Sequence, residues 1–133
     1  MTVSLRGLGA ITLFVEDLER SRSFYEDVFG LRLTYEDEEA ATFDFGNTLL
    51  NLLAIPAART LIEPAAVAPR GAGARAQLTI WVDDADAVCA QLDARGVELL
   101  NGPIDREWGV RTACFSDPAG NVWEIAQQLQ RAP

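Results

Sequence analysis

Two separated stretches of the chain alternate strictly in character. In residues 10–15, Ile11, Leu13 and Val15 interleave with Ala10, Thr12 and Phe14. In residues 77–82, Leu78, Ile80 and Val82 interleave with Gln77, Thr79 and Trp81. A period of two predicts strands with two unlike faces. One face is wholly aliphatic, as a surface beneath packed helices must be. The other mixes aromatic, hydroxyl, amide and small side chains, the composition of a strand whose far side lines a pocket.

Each stretch leads into an acidic pair and then a change of period. Asp17 and Asp84 are predicted N-caps, because a carboxylate there accepts hydrogen bonds from the free N–H groups of a first helical turn. Leu18, Ser21, Tyr25 and Val28 follow helical spacing, as do Ala85, Val88, Cys89 and Leu92. Gly30 and Gly96 then stand where helices commonly end in a left-handed residue. Strand-like text resumes at once, as residues 31–35 in the first copy and 97–100 in the second.

The second halves correspond as well. Residues 41–45 meet a turn at Gly46-Asn47 and continue as a strand over 48–53. Residues 111–115 meet a turn at Asp117-Pro118-Ala119-Gly120-Asn121 and continue over 122–126. Each copy therefore reads strand, helix, strand, strand, strand, and the copies are offset by roughly 66–74 residues. The expected class is α+β: a single domain, 1–133, with modules at 8–55 and 75–128. Residues 56–74, rich in Ala, Pro, Gly and Arg, form the expected linker. It has a helical turn at 57–62 and a mobile end at 69–74.

Composition narrows the function. The 133 residues suit one domain, and 49% hydrophobic with 23% charged residues is ordinary for a soluble protein. The net charge of −9, from 20 acidic against 11 basic residues, opposes binding to nucleic acid or anionic membrane and favours cationic partners. No apolar run reaches the roughly 20 residues of a membrane span, and the N-terminus lacks the pattern of a secretory signal. Cys89 and Cys114 are too few for a disulfide framework and read as small buried hydrophobes. A cytoplasmic location is expected. The chain contains no histidine, which removes the commonest metal ligand and the usual general base near neutral pH.

Several short runs together carry a family resemblance over about residues 8–128. In the first copy they are Val15-Glu16-Asp17-Leu18, Ser23-Phe24-Tyr25 and Phe29-Gly30-Leu31. In the second they are Trp108-Gly109-Val110-Arg111, Phe115 through Asn121, and Trp123-Glu124. The ordered sets, with the repeat, resemble the vicinal oxygen chelate superfamily, which includes glyoxalase I, bleomycin-resistance proteins and extradiol dioxygenases. The resemblance implies two tandem βαβββ modules forming curved mixed sheets around a cavity, and a homodimer. It also implies metal ligands on the first and last strand of each module, which fall near Ala10, Asn51, Gln77 and Glu124 here. Only Glu124 is a strong oxygen ligand, whereas a catalytic divalent ion ordinarily has about three good protein ligands. No metal and no other cofactor is therefore expected.

The candidate ligand-binding residues are Thr12, Phe14, Asn51, Gln77, Thr79, Trp81, Trp108, Arg111 and Glu124. They suit a largely apolar or aromatic molecule with a few polar handles. Trp81, Phe14 and Trp108 are candidate stacking surfaces, while Phe24, Phe29, Phe43, Phe45 and Phe115 are assigned to the core. Glu124 is either a pocket carboxylate that orients a ligand or pairs with an arginine such as Arg111, or the lone general base of an enzyme. The leading expectation is a metal-independent small-molecule binding protein that sequesters an aromatic or cationic compound. The alternative is a lyase, isomerase or dioxygenase-like enzyme that uses Glu124. No glycine-rich phosphate loop follows any predicted strand, so nucleotide binding is not expected.

Overall fold

A computed structural model describes residues 3–129. The chain divides between Val67 and Ala68 into two compact units. The first unit contains β1 (Ala10–Val15), α1 (Leu18–Asp27), β2 (Arg32–Glu36), β3 (Ala40–Asp44), β4 (Leu49–Ala54) and α2 (Ile55–Ile62). The second contains a short 3-10 turn (Arg70–Ala72), then β5 (Gln77–Trp81), α3 (Ala85–Ala94), β6 (Leu99–Asp105), β7 (Val110–Ser116) and β8 (Val122–Gln128). The sheets have the same topology, β1-β4-β3-β2 and β5-β8-β7-β6. In each, the first strand pairs parallel to the last, and the other neighbours are antiparallel. This is the tandem βαβββ arrangement read from the repeat.

Local chemistry explains the helices. Asp17 accepts a hydrogen bond from the backbone N–H of Arg20 at 3.1 Å, and Asp84 accepts one from Ala87 at 3.0 Å. Each cap is worth about 1 kcal/mol. Arg22 joins α1 to β2, pairing with Glu19 and Glu26 on its own helix and with Glu36 across the gap. Gly30 and Gly96 take positive φ angles of 66° and 78°, as the chain turns back into strand.

The core lies on the helix side of each sheet. In the first unit, Leu13, Val15, Ala41, Phe43, Leu50 and Leu52 are buried there. Full burial of a leucine stabilises by about 2 kcal/mol. Tyr25 is fully buried in an aromatic cluster, with ring centroids 5.2 Å from Phe24, 5.0 Å from Phe29 and 6.1 Å from Phe43. In the second unit, Ala113, Phe115, Trp123 and Ile125 play the same part beneath α3. Both cysteines are free and buried.

Two features depart from the sequence reading. The helical turn expected at 57–62 is a longer helix: α2 begins at Ile55, carries Pro56 in its first turn, buries Ala58 and packs on β4 and β1. Just beyond the linker, Arg75 Nη2 donates to the carbonyl of Ala119 at 3.1 Å. The side chain of Arg70 also lies against Gly120. The other departure is β6, which does not stop at Leu100 but runs through Gly102-Pro103 to Asp105 with two irregularities in register. Gly102 makes that path available. With φ at 94°, a Cβ at Gly102 would sit 2.5 Å from the carbonyl oxygen of Thr112 and 2.6 Å from the Cα of Ala113.

Candidate functional site

The faces turned away from the helices carry most of the candidate residues. In the first unit, strand register places Thr12 beside Asn51 and Asn51 beside Thr42, a row across β1, β4 and β3. Hydrogen bonds close this row. Thr42 Oγ1 donates to Asn51 Oδ1 at 2.8 Å, and Asn51 Nδ2 donates to Thr12 Oγ1 at 3.3 Å. Phe14 stands next along β1 on the same face, half-buried. Period two places all of them opposite Leu13, Val15, Leu50 and Leu52.

The second unit has the matching row, with different chemistry. Thr79 stands beside Glu124, and Glu124 beside Cys114. Thr79 Oγ1 donates to Glu124 Oε1 at 2.9 Å. Gln77 Nε2 reaches Cys114 Sγ at 3.6 Å, a weak contact to a soft acceptor. Among the described residues, neither Glu124 Oε2 nor Gln77 Oε1 takes a hydrogen bond. One position further along, Trp81 stands beside Ala126 and Ala126 beside Thr112. Trp81 is 62% exposed. Arg106 Nε donates to Thr112 Oγ1 at 3.0 Å at the far end of that row. Trp81, Val82, Asp83, Gln127 and Gln128 line a shallow depression of about 390 Å³ at the ends of β5 and β8.

Arg111 is the exception among the candidates. It stands beside Gln127, on the helix side of the second sheet, not beside Glu124. Its guanidinium binds Asp105 at 2.6 and 3.3 Å and reaches Asp86 of α3 at 3.1 Å. These carboxylates raise its pKa further, and Arg111 in turn lowers that of Asp105. Glu124 is thus oriented by Thr79, and Arg111 braces α3 against β6 and β7. Trp108 lies in the turn between β6 and β7 and is 65% exposed.

Thr42 and Cys114 belong to the two rows and were missed by the sequence reading. The available signal was alternation along β3 and β7, which places Thr42 level with Asn51 and Cys114 level with Glu124 only once pairing is known. Cys114 is buried, as expected, but on the face that carries Glu124.

The donor set does not fit a divalent ion. Of the four implied ligand positions, Ala10 has no donor atom, and Asn51 already uses its carbonyl oxygen and its amide within its row. Glu124 and Gln77 remain, beside a thiol, and two oxygen ligands fall short of a catalytic site. Among the described residues, no group of three or more Cys, Asp and Glu side chains is arranged to hold a metal. No helix there is long and apolar enough to cross a membrane.

A βαβββ duplication with polar rows on the faces away from its helices defines a class, and comparison with known proteins identifies it. Residues 7–125 match the sequence model of the Glyoxalase/Bleomycin resistance protein/Dioxygenase superfamily, and the chain belongs to that family. The uncharacterized protein YraH of Bacillus subtilis is 34% identical over 123 residues, covering 90% of this chain and 96% of that one. A glyoxalase/bleomycin resistance protein/dioxygenase from Nocardioides superposes with a TM-score of 0.88 at 27% identity, over 98% of this chain and 89% of that one. TnmS3, an antibiotic binding protein from Streptomyces sp. CB03234, superposes with a TM-score of 0.73 at 27% identity, over 96% and 99% of the two chains.

Proposed function

We propose that the protein is a metal-independent small-molecule binding protein of the glyoxalase/bleomycin-resistance type, which sequesters an aromatic or cationic compound. In this reading it works in the cytoplasm as a homodimer, and the compound it holds is an antibiotic or similar toxic molecule. The observation that carries the proposal is the exposed Trp81 one step along β5 from the Thr79–Glu124 pair. An aromatic surface and an anionic oxygen are thereby offered on one face. The net charge of −9 favours cationic ligands, and TnmS3 provides a relative of similar length and fold that binds antibiotics.

The test is titration of tryptophan emission with a panel of planar and cationic compounds, with and without EDTA. Saturable quenching that EDTA leaves unchanged is expected. A broad panel with no response, or binding abolished by EDTA, would refute the proposal. A second reading is favoured by the open oxygen of Glu124: a lyase, isomerase or dioxygenase-like enzyme in which Glu124 is the base and Gln77 a hydrogen-bonding partner. It requires that E124Q abolish turnover of a bound compound while preserving its binding.

A further inference from the structure

The two units carry the same row of three positions, but only one row has spare acceptors. In the first unit, the Asn51 amide uses its oxygen on Thr42 and its nitrogen on Thr12, so the row is satisfied from within. In the second, β8 carries Glu124 where β4 carries Asn51, and β7 carries Cys114 where β3 carries Thr42. A thiol does not replace the hydroxyl that would donate to the second carboxylate oxygen. Glu124 Oε2 and Gln77 Oε1 therefore remain open on the same face.

From this asymmetry we infer that the second unit alone anchors the ligand, and that the ligand is a compact aromatic amine with its protonated nitrogen on Glu124 and Gln77 and its ring on Trp81. The inference rests on the small-molecule-binding reading above and narrows it to one chemical class. An ammonium group has donors and no acceptors, the complement of two open oxygens. A charge-assisted hydrogen bond to a carboxylate is roughly twice as strong as a neutral one.

The ring position follows from strand geometry. Trp81 and Thr79 are two residues apart on β5, so their rows lie about 7 Å apart at the usual strand rise. That separation matches a ring joined to an amine by two or three bonds. Ala126, the residue beside Trp81, presents only a methyl group and leaves the indole face clear. Trp81 has no ring partner among the described residues.

The charges around the face fix the direction of binding. Arg106, at the far end of the Trp81 row, repels a second positive charge there and leaves the Glu124 row as the place for the ammonium. Asp83, which lines the depression with Trp81, adds negative potential beside the indole.

The test uses three compounds of the same length on the intact protein: 2-phenylethylamine as its ammonium ion, the neutral 2-phenylethanol and the anionic phenylacetate. Tryptophan emission and calorimetry read affinity, and thermal unfolding checks that each variant is folded. The ammonium compound is expected to bind at least about tenfold more tightly than the other two, the order of one charge-assisted bond. E124Q should erase that preference, W81L should weaken binding of all three, and N51A should change neither. Alkylation of Cys114 in a C89A background should slow when the ammonium compound is bound, because the thiol adjoins the anchor. Equal affinities for the three compounds overturn the inference, as does a charge preference that survives E124Q or disappears in N51A. If none of the three binds, this inference also fails, while the wider panel still decides whether the protein binds small molecules at all.

Discussion

The turn that aligns β7 with β8 sets the register of the Glu124 row, and a single buried carboxylate holds it. Asp117 is 3% exposed and accepts three hydrogen bonds from within the turn. They come from the backbone N–H of Ala119 at 2.9 Å, the backbone N–H of Asn121 at 2.8 Å and the Asn121 side-chain amide at 3.0 Å. Asn121 is itself 2% exposed, so water does not take over these donors without rearrangement. Each buried donor left unmade costs about 1–3 kcal/mol. Allowing for partial relaxation, D117A should cost about 4 kcal/mol. D117N keeps an acceptor for the two backbone groups, and a flip of the Asn121 amide offers it an acceptor in return. It loses mainly the charge assistance, about 1 kcal/mol. The assay is urea unfolding followed by fluorescence and circular dichroism. With a slope of about 2 kcal/mol per molar, D117A should lower the midpoint by about 2 M, and D117N by about 0.5 M. Coincident midpoints for D117A and wild type, or a larger loss for D117N than for D117A, would refute this account of the turn.

Three further predictions test the fold and the placement of charges. G102A should lose about 3 kcal/mol in the same assay, because its methyl group meets backbone atoms of β7 at a positive φ; a loss below about 0.5 kcal/mol would contradict the described path of β6. R111M should lower stability only slightly and leave ligand affinity within about twofold, since the guanidinium binds the exposed Asp105 and Asp86 on the helix side; a large affinity loss would put Arg111 in the site after all. The third concerns acid. Tyr35, then backbone donors, lower the pKa of Asp37; backbone Gly46, then Arg32, lower that of Asp44; and Arg111 lowers that of Asp105. A carboxylate with a depressed folded pKa contributes its stability above the unfolded value of about 4, and loses it as pH falls through the folded value. Stability should therefore decline below about pH 4, and the D37N/D44N/D105N variant should show a shallower acid limb. Parallel acid limbs for variant and wild type would refute this assignment.

The order of elements was legible because each signal was local. Alternation in 10–15 and 77–82 reported half-buried strands, and Asp17 and Asp84 are the caps they were read to be. Gly102-Pro103 reads locally as a breaker, and only the irregular pairing with β7 explains how a strand passes through it. The faces of β7 were hidden for a different reason. Val110, Thr112, Ala113, Cys114 and Phe115 are all buried, so the strand lacks a polar period to read. Without that period, Arg111 was placed with Glu124 and Cys114 with the core. Pairing registers, which are long-range facts, reverse the first placement and put the thiol on the face of Glu124.

The two rows differ in how far they satisfy themselves. The Thr12–Asn51–Thr42 row is polar but internally satisfied, so it holds three strands in register without needing any other molecule. The Thr79–Glu124 pair keeps one bond of that kind and leaves a carboxylate oxygen over. An incoming donor can bind that oxygen without breaking a hydrogen bond within the protein. Restoring hydroxyl donation with C114S gives Glu124 the neighbour that Asn51 has in Thr42. That one-atom change should weaken binding of an ammonium ligand without loss of stability. Unchanged affinity in C114S would mean that the open oxygen does not owe its availability to the thiol.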